Sequence, residues 1–219
     1  WLLAQTPTGQ DVVWTVDVAE ATATPLVATG WPVGGRASGL VGEGSTLVAI
    51  SESSSLLLKD ETGWRAVARG TAGLNAVSVS AGPQVVFARL GRIFLWSVDR
   101  TVPEPIAFGS EPVRAADATA FVREGLVWVQ SDGGQAVSAG ARLPLPGPDV
   151  VPFEGGFAWV RPDGRLGVVG VGGEPRAVDV RVESITALAG SGGSVVIAGQ
   201  DGAVQTVEFV SVSEAMTPL

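Results

Sequence analysis

Short apolar stretches separated by polar turns run the whole length of the chain, and no sustained apolar period of 3.6 residues interrupts them. The clearest are Leu2-Leu3-Ala4-Gln5, Leu47-Val48-Ala49-Ile50, Val85-Val86-Phe87-Ala88, Leu126-Val127-Trp128-Val129, Phe157-Ala158-Trp159-Val160 and Val195-Val196-Ile197-Ala198. Their spacings are 45, 38, 41, 31 and 38 residues, averaging 38.6. After each comes a turn and a second apolar stretch, at 12–18, 55–59, 92–98, 135–139, 165–171 and 203–209. Asp132-Gly133, Asp163-Gly164 and Asp201-Gly202 supply the residue types that a tight hairpin with positive φ demands.

Further strands complete the unit. Trp64-Arg65-Ala66-Val67-Ala68 and Pro105-Ile106-Ala107-Phe108 read as outer strands, and 74–80 and 184–189 as inner ones. Four antiparallel strands per forty or so residues is the pattern of a β-propeller blade. The expectation is therefore an all-β, six-bladed β-propeller of four-stranded blades in a single domain. Its blades fall at roughly 1–36, 37–73, 74–114, 115–149, 150–183 and 184–219. Six units of the mean length need about 232 residues against 219, and the first unit opens directly on its second strand. Blade one is thus expected to lack its innermost strand within this chain, and 207–212 is expected to be an outer strand. A sandwich or barrel also uses short strands, but without a four-strand unit of near-constant length.

Composition narrows the chemistry. Hydrophobic residues are 46% and charged residues 16%, enough for a sizeable core, yet no apolar run reaches membrane-spanning length. Direct membrane insertion of this segment is therefore not expected. Thirty Gly and fourteen Pro oppose long helices. The chain contains no His, no Cys and no Tyr, which removes imidazole bases, thiol nucleophiles, disulfides and the common transition-metal ligands. No cofactor and no metal site are expected, and no dense Asp-x-Asp-x-Asp run suggests calcium. A formal net charge of −8 disfavours nucleic acid as a partner. Paired-carboxylate glycosidase chemistry needs only two of the 22 acids and stays open as an alternative, although the expectation is a non-enzyme.

Seven Trp read chiefly as rings packed between blades. Trp128 and Trp159 fall at equivalent positions of second strands, and Trp14 and Trp96 fall in third strands. Trp31, in Gly30-Trp31-Pro32, is the least core-like and could serve as a sugar platform, so a carbohydrate-binding propeller is the second alternative. The strand assignment gathers Trp31, Arg36, Glu111, Arg114, Arg161 and Arg181 on one loop face, with Asp132, Asp163 and Asp201. Arginine and exposed tryptophan are enriched at protein interfaces, and this face is the candidate partner-binding surface.

Several stretches resemble the C-terminal β-propeller of the LpqB-type lipoproteins of actinobacteria. Gly39-Leu40-Val41-Gly42 through Ile50 is similar to that domain's opening blade. Leu74-Asn75-Ala76-Val77-Ser78-Val79-Ser80 with Phe94-Leu95-Trp96 is similar to an internal blade, and Ile185–189 with Val195 through Gly202 to the last. The resemblance covers 39–209 and departs at Val113-Arg114-Ala115-Ala116-Asp117, where the family carries an Arg-Pro-Ser-Trp type signature. Thirteen Arg against one Lys suit a GC-rich genome. The resemblance implies an extracytoplasmic domain of the cell envelope, tethered through an upstream lipid anchor. Its implied partner is a protein, the external domain of a membrane sensor kinase, whose signalling it would modulate without catalysis.

Overall fold

A computed structural model describes residues 2–5, 11–17, 19–26, 37–43, 46–51, 56–60, 63–68, 74–80, 84–97, 100, 102–115, 117–144, 147, 149–201 and 204–212. These form 22 strands and no helix, so no helix is long and apolar enough to cross a membrane. Every pairing is antiparallel between strands that follow one another in sequence, which makes each sheet a simple meander. The chain divides into two compact units, Trp1–Pro105 and Ile106–Leu219.

The first unit begins with sheet A, made of β1 (Leu2–Gln5), β2 (Asp11–Asp17) and β3 (Thr22–Pro25). Sheet B contains β4 (Ala37–Glu43), β5 (Thr46–Ser51), β6 (Leu56–Asp60) and β7 (Gly63–Ala68). Sheet C contains β8 (Leu74–Ser80), β9 (Gln84–Arg89), β10 (Arg92–Ser97) and β11 (Glu104–Phe108), and the boundary between units falls inside β11.

In the second unit, sheet D is β12 (Ser110–Ala115), β13 (Ala118–Arg123), β14 (Leu126–Ser131) and β15 (Val137–Ala141). Sheet E is β16 (Val151–Phe153), β17 (Gly156–Val160), β18 (Leu166–Gly170) and β19 (Arg176–Val178). Sheet F has three strands, β20 (Ser184–Ser191), β21 (Ser194–Asp201) and β22 (Val204–Ser211). The all-β class, with three- or four-stranded antiparallel blades, is as the sequence leads one to expect.

The repeat itself is more regular than the apolar stretches suggest. Second strands of sheets B to F begin at Thr46, Gln84, Ala118, Gly156 and Ser194, steps of 38, 34, 38 and 38 residues. The unequal steps of 41 and 31 residues read from the sequence have one source. The stretch beginning at Leu126 is the third strand of sheet D, and its second strand is Ala118–Arg123. That strand is rich in small residues, Ala118-Thr119-Ala120, which carry little hydropathy although all three are fully buried. The assignment of Trp128 and Trp159 to equivalent positions is corrected for the same reason: Trp128 lies on a third strand and Trp159 on a second. Residues 110–114 belong to sheet D, not to the preceding blade. At the end of the chain, Val204–Ser211 is the third strand of its sheet, and among the described residues it pairs only with β21, which places 207–211 on the sheet's outer strand as expected.

The core of the second unit lies between its sheets. On β17, Phe157 and Trp159 face a cluster shared with Ala120, Val127 and Ala139 of sheet D. Ala158 and Val160 face the other way, into a cluster with Ile185, Val195, Ile197 and Val210 of sheet F. The period of two thereby makes a strand that is buried at every position. Trp159 joins sheets D and E: its ring is fully buried, and its indole N–H donates to the Ala141 carbonyl at 3.0 Å.

Tight turns set the ends. Leu90-Gly91 and Glu124-Gly125 close two-residue hairpins with both residues at positive φ, as a type I′ turn requires. The turns at Asp132-Gly133 and Asp163-Gly164 are longer than the two-residue form expected. Around Asp163, the Gly164 N–H donates to the Arg161 carbonyl (3.0 Å) and the Arg161 N–H to the Arg165 carbonyl (2.9 Å), leaving a three-residue loop. Pro162 suits its first position, and Gly164 takes the left-handed one at φ 79°. Gly202 lies outside the described residues.

Candidate functional site

A meander sends alternate hairpins to opposite ends of a sheet, so strand parity decides where each loop residue lands. In sheet D the β13–β14 turn and the end of β15 share one end, where the Arg142 N–H donates to the Gly125 carbonyl (3.1 Å). Sheet E joins this end directly, since the Leu143 N–H donates to the carbonyl of Val160, the last residue of β17. Glu111, Arg142, Arg161, Asp163, Arg165, Asp179 and Arg181 therefore cluster at a single charged end of the second unit.

The groups here hold one another in place. Glu111 sits at positive φ (51°) where the register between β12 and β13 shifts, a bulge between Ser110 and Val113. From there its carboxylate pairs with the guanidinium of Arg142, which is buried at 6% exposure. On the β17–β18 hairpin, Arg161 Nε lies 3.4 Å from Asp163 Oδ2. Arg165 Nε lies 2.8 Å from Asp179 Oδ1, just beyond β19. The Arg181 backbone N–H donates to Glu208 Oε2 of β22 at 2.8 Å, linking sheets E and F, while its side chain is exposed. Desolvation tends to raise the Asp163 carboxyl pKa. The Arg165 N–H bond and the charges of Arg161 and Arg165 together outweigh it, so the carboxyl lies below its ordinary value.

Arg114 and Asp132 do not belong to this cluster. They lie at the opposite end of sheet D, where β12 meets β13 and β14 turns toward β15. The Arg114 guanidinium is buried and makes a two-armed pair with Asp132, Nη1 to Oδ1 at 2.7 Å and Nη2 to Oδ2 at 2.6 Å. Nη1 also donates to the Thr119 hydroxyl at 3.1 Å. The expectation that Arg114 is a surface recognition residue is corrected accordingly: it ties three strands of sheet D together. Beside this end, a cleft of about 200 Å³ opens between sheets D and E. Val129, Val137, Pro175, Ser131 and Gln135 line it, and Glu174 is its one carboxylate.

Of the residues singled out from the sequence, Glu111, Arg161, Arg181 and Asp163 come together, while Arg114 and Asp132 face the other way. Trp31, Arg36 and the side chain of Asp201 lie outside the described residues. Arg142, Arg165 and Asp179 complete the charged end and were missed. Arg142 opens a Pro- and Gly-rich stretch that reads as a plain connector. Only the pairing of distant strands shows that it meets Glu111. No cluster of three or more acidic side chains able to hold a metal occurs among the described residues.

No family model matches the chain, and no curated protein does. Solved structures do match, at low identity, and they carry the β-propeller fold. Hsv2 from Kluyveromyces lactis is similar over 92% of this chain and 67% of its own, with TM-score 0.63 and 15% identity. A chain of the Mitotic Checkpoint Complex is similar over 96% and 73%, with TM-score 0.59 and 12% identity. BamB from Moraxella catarrhalis is similar over 95% and 70%, with TM-score 0.54 and 13% identity. The chain spans only 57% of the length of a further match, the computationally designed Ika8 protein. Likeness at this identity defines the architecture and nothing finer.

Proposed function

We propose that this chain is a protein-interaction propeller of six blades, without catalytic activity, that engages a protein partner through the charged end of its second unit. The observation that carries this reading is the arginine-rich end itself. Arg161 and Arg165 stand on the β17–β18 hairpin, held by Asp163 and Asp179, and Arg181 stands on the connection from sheet E to sheet F, held by its backbone bond to Glu208. Groups fixed in this way lose little entropy on docking, which favours recognition. The absence of His, Cys and Tyr supports a role outside catalysis. That a chain of the Mitotic Checkpoint Complex shares the fold is in keeping with assembly work.

The resemblance to LpqB-type lipoproteins rests on segments that form β4, β5, β8, β10, β20 and β21. On that ground the domain works outside the cytoplasmic membrane, and its partner is the external region of a sensor kinase. Trp31 and Arg36 belong to the same proposal. The test is titration of the purified external region of the kinase against the chain by calorimetry. Arg161→Glu with Arg181→Glu should weaken binding at least tenfold, whereas Leu90→Asn should leave it unchanged. Equal affinity of the charge-reversed and parent chains, or no binding at all, refutes the reading.

A further inference from the structure

The cleft between sheets D and E is framed by two turns of the same form, both within the second unit. At the β14–β15 turn the Gly134 N–H donates to the Ser131 carbonyl at 2.9 Å, and at the β18–β19 turn the Gly173 N–H donates to the Gly170 carbonyl at 3.0 Å. In each, the residue before the closing glycine is another glycine at positive φ, Gly133 at 71° and Gly172 at 73°. The next residue is Gln135 in one turn and Glu174 in the other, so neighbouring sheets bring an amide and a carboxylate to the cleft from matching positions. The glycines leave the space between the walls open. A Cβ on Gly172 would meet nothing within 4 Å, and one on Gly173 nothing nearer than 3.5 Å.

The lining selects for one kind of occupant. Val129, Ala139 and Val169 are buried and give an apolar floor, whereas Gln135 and Glu174 are exposed. No aromatic ring lines the cleft, which leaves a sugar no face to stack on, and no basic side chain does either. Glu111, Asp132, Asp163 and Asp179 of the same unit each pair with an arginine. Among the described residues the Glu174 carboxylate pairs with none. The volume, about 200 Å³, falls short of the roughly 300–1,000 Å³ of drug-sized pockets and suits a single long side chain. Arginine and lysine lay an apolar stem on apolar surface and keep the charged head among polar groups, which is the complement of this floor and rim. A net charge of −8 favours the approach of a basic segment. Beside the cleft, β15 is the outer strand of sheet D and among the described residues pairs only with β14, so an extended segment has an edge to lie along. We propose that the cleft between sheets D and E receives an arginine or lysine side chain from an extended basic segment of a partner protein, at a site separate from the charged end.

The test uses the whole chain, isotope-labelled for NMR, and two blocked peptides, acetyl-Val-Arg-Val-amide and its citrulline counterpart. Citrulline keeps the shape of arginine and lacks its charge. The arginine peptide should shift the backbone N–H resonances of Gly172 and Gly173 and the side-chain amide of Gln135. It should bind at least about threefold more tightly than the citrulline peptide, within the range that a partly exposed ion pair supports. Glu174→Gln, a change at an exposed position that leaves the fold intact, should remove that preference. Arg161→Glu, at the other end of the unit, should leave it as it is. No binding, equal affinity for the two peptides, a preference that survives Glu174→Gln or is lost in Arg161→Glu, or shifts confined to residues away from the cleft each overturn the proposal.

Discussion

Leu90 occupies a conformation that its side chain does not favour. It sits at φ 51° in a two-residue hairpin, beside Gly91 at φ 72°, and is 71% exposed. For a residue with a branched side chain the left-handed region costs about 1–2 kcal/mol, and exposure at this level recovers little of that through burial. Leu90→Asn keeps the turn with a residue that tolerates positive φ. It should raise stability by about 0.5–1 kcal/mol, read as a higher urea midpoint at unchanged slope. No gain would mean that Leu90 makes a contact worth as much as its strain. At Asp163 the expected outcome concerns pH. Its folded pKa is depressed below the ordinary 3.8, so its favourable interactions are fully present above that value and are lost as pH falls through the folded pKa. Carboxyl-detected NMR should place its midpoint below 3.8, and Arg161→Gln with Arg165→Gln should move the midpoint upward. A midpoint at or above 3.8 in the parent chain would show that the two arginines do not hold the carboxylate.

At the scale of elements, sheets D and E are joined by one large ring laid over small backbone. A Cβ on Gly167 would fall onto the Trp159 indole, 2.7 Å from Cζ2, while the same ring passes 3.9 Å from the Cβ position of Gly140. The absence of a side chain at Gly167 makes room for the fully buried ring, while at Gly140 the ring is at ordinary contact distance. Gly167→Ala should therefore cost about 1–3 kcal/mol through overpacking and shift the near-ultraviolet circular dichroism of the tryptophans. Adding Trp159→Phe should restore part of the loss by reopening the space. If Gly167→Ala is neutral, the ring is not confined as described. On the same sheet D, Arg114 shows how an element can absorb a charge. A buried guanidinium is costly unless its donors are met, and Asp132 and Thr119 meet those on Nη1 and Nη2 from the neighbouring turn and strand.

At the scale of the molecule, the second unit has two ends of different character. One end is charged and braced by its own ion pairs, and the other holds the cleft beside Asp132. Because they lie at opposite ends of sheet D, the charged end and the cleft make independent demands on partners.

The sequence by itself determined the class of structure. Alternating apolar stretches about 38 residues apart, Gly and Pro punctuation, and the absence of any helical period suffice for antiparallel blades, because strand patterning and turn chemistry are local. It also settled which side-chain chemistries the chain lacks. Tertiary structure alone decided which end of a sheet each loop residue occupies. In a meander that depends on strand parity, so overlooking the small-residue strand Ala118–Arg123 displaced Arg114 and Asp132 to the wrong end. It alone decided that Arg142 reaches Glu111 across 31 positions and that Arg114 is buried. Both depend on pairings between distant segments, which carry no local signature.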